Sequence, residues 1–231
     1  MMTIHRSHER GSFRNDWLDA QFSFEFGSYR NPARRGYSDL LVLNDDIVSP
    51  TKGFAAHPHD NVEVLSFPLQ GEVEHEDSLG NRETLSYGDV HLMRAGTGIV
   101  HSEMNPSLTE HEHHVQWWIA PAHRDSQPAY QKQHYSRETK LGRLCLIASP
   151  DGNEGSLQVD QDVRIYASIV RNDAIRHVLA PQRRAYVHVL RGALTINEET
   201  LCAGDGAQIE GVAELRLQSS DEAEILLFDL R

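Results

Sequence analysis

Polar and apolar positions alternate along this chain in short runs broken by turn residues. Phe22, Phe24 and Phe26 alternate with Gln21, Ser23 and Glu25, the two-residue period of a half-buried strand. Leu40-Leu41-Val42-Leu43 predicts another short strand, and Asn44-Asp45-Asp46 then predicts an Asx turn. A mainly apolar run follows at Val64, Leu65, Phe67 and Leu69, interrupted by Pro68. Glu72–Glu76 and Glu83–Tyr87 flank Asp77-Ser78-Leu79-Gly80-Asn81-Arg82, a hairpin whose Gly-Asn pair accepts positive φ. Val90–Arg94 and Val115–Ile119 predict further strands, and one Trp of the latter is expected in the core with the other lining a cavity. This rhythm indicates a sandwich or barrel rather than a helical protein.

The segment from Ala120 to Pro128 is polar and bracketed by prolines, as a linker would be. Beyond it, strands are predicted over Leu144–Ala148, Val163–Val170, Ala185–Leu190, Ala193–Ile196, Leu215–Leu217 and Ile225–Leu230. Tyr186–Gly192 followed by Gly204-Asp205-Gly206 resembles Phe67–Gly71 and Gly88-Asp89, a weak internal repeat. The fold expected is therefore all-β, with two tandem β-barrel domains over residues 1–122 and 123–231.

Candidate chemistry concentrates between Gly53 and Asn105. His57 and His59 are two apart, and so are His101 and Glu103. On strands, such pairs project to one face, and pairing the strands would gather four ligand-type side chains at one spot. Imidazoles with a carboxylate suit a divalent transition metal better than calcium or magnesium. Four protein ligands leave positions open, as catalytic metal sites require. Gly96 and Gly98 would form the tight turn that brings His101 back to the first pair. His75 and His91 read as ordinary half-exposed residues, and Glu110-His111-Glu112-His113-His114 as a polar loop rather than a second metal site. In the C-terminal half His188 stands alone, so that domain is expected to have lost any metal.

At these residues the chain resembles a cupin and, more narrowly, the pirin family. Gly53, His57, His59, Glu63 and Gly71 fill the first cupin motif, and Gly88, Gly98, His101 and Asn105 the second. His57-Pro58-His59, Glu63 four residues on, and Gly96-Thr97-Gly98-Ile99 before His101-Ser102-Glu103 are the pirin form of these motifs. Similar stretches include Asp16-Trp17-Leu18, Asn44-Asp45-Asp46 and Ser149-Pro150-Asp151-Gly152, so the likeness spans most of the chain. Asp60, where a basic residue is common, and Pro68 depart from it. The resemblance implies a bicupin of jelly-roll domains, the second degenerate, with a metal held by His57, His59, His101 and Glu103. Iron(II) is the first expectation, ahead of manganese, nickel, copper and zinc. It further implies a quercetin 2,3-dioxygenase type of activity on a flavonol and O2, with Glu103, or Glu63 behind it, as the catalytic base. The alternative is a metal-binding regulatory protein of pirin type with a protein partner and no turnover. Gln116 would offer a hydrogen bond to the ligand. A sugar-isomerase cupin ranks third.

Composition narrows the field further. Thirty-four acidic against 22 basic residues give a net charge of −12, which argues against a nucleic-acid groove. Cys145 and Cys202 are too few for a disulfide framework and are expected as free, buried thiols. The first residues carry no apolar run like that of a signal peptide, and no apolar stretch approaches membrane-span length. A soluble, cytoplasmic, monomeric protein is expected.

Overall fold

The structure is a computed structural model and describes residues 1–172 and 174–231. Two compact units divide the chain. One comprises Gly11–His134 with Val159–Gln161, the other Met1–Arg10, Tyr135–Gln158 and Asp162–Arg231. This differs from the expected boundary at 122/123 for reasons of strand pairing. The first strand, β1 (Met2–His5), pairs antiparallel with a strand at residues 206–210, so the N-terminus belongs to the second unit. Residues 129–134 pair with residues 89–94 and stay with the first.

The first unit carries β2 (Gly11–Arg14), β3 (Leu18–Phe22), β4 (Leu40–Val48), β5 (Gly53–His59), β6 (Glu63–Gln70), β7 (Glu72–Asp77), β8 (Arg82–Ser86), β9 (Asp89–Arg94), β10 (Ile99–Met104), β11 (Glu112–Ile119) and β12 (Ala129–His134). They form a seven-stranded sheet ordered β12-β9-β6-β11-β4-β3-β2 and a four-stranded sheet ordered β5-β10-β7-β8. Leu65, Phe67, Leu85, Leu92 and Trp117 are fully buried in this unit. Two stretches read from sequence as turn or loop are strand instead. Asn44 and Asp46 lie inside β4, and Glu112–His114 open β11, where Glu112 and His114 are buried. Pro68 is tolerated within β6 because β9 pairs only with Glu63–Ser66. The missing N–H therefore falls beyond that ladder, beside a register shift against β11. Phe24 and Phe26 lie past the end of β3, which stops at Phe22.

The second unit holds β13 (Cys145–Ser149), β14 (Leu157–Gln158), β15 (Arg164–Val170), β16 (Ile175–Val178), β17 (Arg184–Ile196), β18 (Glu199–Cys202), β19 (Gly206–Glu210), β20 (Glu214–Gln218) and β21 (Ala223–Leu230). Its sheet places β17 and β21 side by side between β19 and β15. Val187, Val189, Ile209, Ile225 and Leu227 are packed there without exposure. The two strands expected over 185–190 and 193–196 are one continuous β17. Cys145 and Cys202 are free thiols, but half-buried and exposed respectively rather than buried.

Candidate metal centre

Strand β10 runs between β5 and β7, and its alternation turns Ile99, His101 and Glu103 inward while Val100 stays exposed. Across the pair with β5, His101 faces His57 and Ile99 faces His59. Exposed Pro58 separates the two half-buried imidazoles, as the strand period requires. Gly96 lies in the turn that returns the chain at φ 51°, where a Cβ would meet the Ser126 carbonyl oxygen at 2.0 Å. The three rings converge. Their centroids are 4.9 Å apart for His57–His59, 4.4 Å for His57–His101 and 4.9 Å for His59–His101. One nitrogen from each lies within 4.8 Å of the others.

The donor atoms fit a cation. His57 Nδ1 donates to the Ala55 carbonyl at 2.8 Å, which leaves its Nε2 bare. His59 Nε2 and His101 Nε2 are buried with no hydrogen-bond partner among the described residues. Buried polar atoms are rarely left so, and a bound ion is one of the standard reasons. Burial drives His101 down to about 4 and lowers His59 as well, which keeps both as the neutral imidazoles that bind metal.

Glu103 is 3 % exposed and accepts hydrogen bonds from Gln116 Nε2 at 2.8 Å and Ser66 Oγ at 3.3 Å. Burial opposes its charge, but His101, His114, His91 and the Gln116 amide outweigh it and hold the carboxyl at about 2. Its oxygen groups with His101 and His75 within the same 4.8 Å limit, rather than with His57 and His59. Three of the four expected side chains thus meet directly, and the fourth joins them through His101.

A cavity of about 810 Å³ opens on His57, His59 and Glu103. Phe22, Phe26, Phe54 and Trp118 give it aromatic walls, and Asn44, Asp46 and Gln116 contribute polar groups. Trp117 is the core tryptophan and Trp118 the cavity one. Trp118 meets His59 edge-on at 5.0 Å and donates its indole N–H to Gln116 Oε1 at 3.0 Å, which fixes the amide that holds Glu103. Burial pushes the Asp46 carboxyl up to about 7 despite the nearby His114 imidazole. Burial would push His114 down, but Glu112 at 3.0 Å and Asp46 at 3.8 Å carry it to about 10.

Glu63 does not line the cavity. Fully buried, it accepts from Arg94 Nε at 3.0 Å and from the Asp160 backbone N–H at 2.8 Å. Its carboxylate is tied to Arg94 and to the chain at Asp160 rather than turned to the cavity. His75 and His91 are fully buried, not half-exposed. The signal that could have found His75 is its two-residue spacing from Asp77, the same spacing that marked the other pairs.

The pirin family model matches residues 4–119, and a model described as a quercetinase C-terminal cupin domain matches residues 146–230. A protein of Escherichia coli strain K12 named quercetin 2,3-dioxygenase is 38 % identical over 231 residues, covering 100 % of this chain and 99 % of that one. The crystal structure of YhhW from Escherichia coli superposes with a TM-score of 0.96 at 37 % identity, covering 100 % of this chain and 98 % of that one. The same bacterial pirin in complex with nickel(II) gives 0.95 at 37 % identity, with 100 % and 99 % covered. A pirin-like protein of Caulobacter vibrioides is 30 % identical over 223 residues, 95 % of each chain. With its bicupin organisation, its inward imidazoles and these full-length likenesses, the chain belongs to the pirin family.

Proposed function

We propose that this protein is a metal-dependent dioxygenase that opens the ring of a flavonol such as quercetin, with His57, His59, His101 and Glu103 holding the cation. The observation that carries this reading is the set of bare imidazole nitrogens, with His57 and His59 lining an aromatic-walled cavity. That cavity lies within the usual range for small-molecule sites. A redox-capable divalent metal, iron(II) first among the candidates, would supply the means of bringing O2 and an electron-rich substrate together. The protein's own part is binding, orientation and proton handling.

Phe26, Phe54 and Trp118 present flat apolar surfaces to a planar polyphenol. Gln116 spends its amide N–H groups on Glu103 and Ser66, so it positions the carboxylate rather than the substrate. The substrate's enolic hydroxyl must lose its proton for the ring to react. Glu103, at about 2, is a weak acceptor. Asp46, in the same cavity wall and at about 7, lies in the range where a carboxylate takes up and returns a proton near neutrality. We therefore assign proton transfer to Asp46 and charge balance at the cation to Glu103. Free Cys145 and Cys202 suit a reducing, cytoplasmic setting.

The test is oxygen uptake and carbon monoxide release with quercetin on metal-loaded protein. Uptake matched one-to-one by carbon monoxide, and abolished in His101→Ala, supports the assignment. Absence of turnover with iron, manganese, nickel, copper and zinc alike would leave a binding role instead.

A further inference from the structure

Behind His101 runs a hydrogen-bonded line through His75 to Asp77, and none of the three lines the cavity. His101 Nδ1 lies 3.4 Å from His75 Nδ1, and His75 Nε2 lies 3.1 Å from Asp77 Oδ2. The register explains the alignment: on the β7–β10 pair Asp77 stands opposite His101 and His75 opposite Glu103. The side chains of His75 and Asp77 are wholly buried.

Donor and acceptor roles along this line follow from its far end. Asp77 Oδ1 accepts the backbone N–H groups of Leu79 at 2.9 Å and Asn81 at 3.1 Å, and the Asn81 side-chain amide reaches both carboxylate oxygens, Oδ1 at 3.1 Å and Oδ2 at 2.9 Å. Burial opposes the charge, but these donors and His75 hold the Asp77 carboxyl below its ordinary value, so it is an ionised acceptor. His75 Nε2 must then carry the proton, and the Nδ1–Nδ1 contact, which needs one donor and one acceptor, is made with the His75 Nδ1 lone pair. That atom can only accept, so His101 Nδ1 donates. The remaining nitrogen of His101, Nε2, is left with its lone pair free, and it is the buried atom without a partner. His75 cannot swing out of line, because it stacks on Tyr130 at 4.9 Å and 23° and meets His91 edge-on at 5.0 Å.

We propose that Asp77 and His75 are positioning residues that fix His101 in the tautomer able to bind a cation through Nε2. The hairpin turn Asp77–Asn81, which does not line the cavity, thereby sets the chemistry of the central ligand. This rests on the metal-site reading for its purpose, though not for its hydrogen-bond direction. Outer partners of ligating imidazoles generally act in this way, usually with a carboxylate or carbonyl one bond away. Here a second imidazole relays the carboxylate's preference.

Asp77→Asn gives the sharpest test. The two backbone N–H donors at Oδ1 would hold the amide oxygen there and turn the amide NH2 toward His75, displacing the Asn81 amide from the Oδ2 position and reversing every donor along the line, as carboxylate-to-amide changes behind a catalytic imidazole do. His75→Gln keeps the direction, since its amide can donate to Asp77 and accept from His101. The first readout is the 15N chemical shifts of histidine-labelled, metal-free full-length protein. We expect His101 bare at Nε2 in the parent and in His75→Gln, and protonated there in Asp77→Asn. The second is zinc affinity by competition titration. Asp77→Asn should weaken it roughly 10- to 100-fold, and His75→Gln should stay within about 3-fold of the parent. An Asp77→Asn protein with His101 still bare at Nε2, or with unchanged zinc affinity, overturns the proposal. Should the parent bind no cation at all, the metal-site reading fails, while the metal-free shifts still decide the tautomer.

Discussion

Gly53→Ala should force apart the two strands that carry the ligands. Gly53 stands opposite Met104 on the β5–β10 pair, next to the Phe54–Glu103 position and four residues before His57. A Cβ there would meet the Glu103 carbonyl oxygen at 2.2 Å, the Met104 Cα at 2.6 Å and its Sδ at 2.9 Å. Two of these atoms are backbone and cannot rotate away, so the strands must separate locally by roughly 1 Å to restore van der Waals contact. Overpacking of this kind costs about 1–3 kcal/mol, against which the stiffer unfolded chain returns only about 0.4–1 kcal/mol. Metal–ligand distances tolerate only about 0.2 Å, so the same opening should weaken metal binding by roughly tenfold or more. Urea denaturation of the metal-free protein and a nickel(II) titration would measure both effects. Gly142→Ala is the control: its Cβ meets nothing within 4 Å at φ 68°, in the other unit, so it should cost backbone strain and leave nickel affinity unchanged. A Gly53→Ala protein of parental stability and parental nickel affinity would refute the argument that strand approach sets the site.

Three further outcomes are expected. Glu63→Gln should retain kcat/KM within about threefold while Asp46→Asn loses roughly a hundredfold or more, because only Asp46 lines the cavity; steady-state oxygen uptake decides between them. In the second unit Lys140 is fully buried against Glu224 at 3.0 Å, so Glu224→Ala should cost about 3–5 kcal/mol in urea denaturation and the apolar pair Lys140→Met with Glu224→Leu should recover most of it. Burial holds His91 down to about 3, so the unfolded chain takes up a proton below its ordinary 6.5 that the folded chain refuses. Stability contributed above pH 6.5 is therefore lost as pH falls toward 3. Between pH 6.5 and 5, metal-free His91→Leu should lose about 2 kcal/mol less than the parent.

What the sequence disclosed and what it hid have one physical cause. Strand alternation exposed the ligands, because His57/His59 and His101/Glu103 keep the period of two on strands that proved to be neighbours. The same rule, applied with apolar side chains as its marker, failed wherever the inner face turned polar. Asn44 and Asp46 suggested a turn, and Glu112 and His114 a loop, yet these are buried strand positions of the barrel. His75 and His91 looked half-exposed for the same reason. Around a cation the inside of a barrel needs imidazoles, carboxylates and amides, so hydrophobicity no longer reports burial there. The swap of Met1–Arg10 into the second unit depends on pairing across some two hundred residues, between Met2–His5 and Gly206–Ile209, which no local pattern encodes.

In the proposed site His57, His59, His101 and Glu103, from β5 and β10, hold a single cation. Zinc-edge X-ray absorption of the stoichiometrically loaded protein addresses this most directly. Three imidazole nitrogens at about 2.0–2.1 Å with one oxygen in the same shell, falling to two imidazoles in His59→Ala, is the result expected. A first shell of water and carboxylate oxygens with no imidazole scattering, unchanged in that variant, would contradict it.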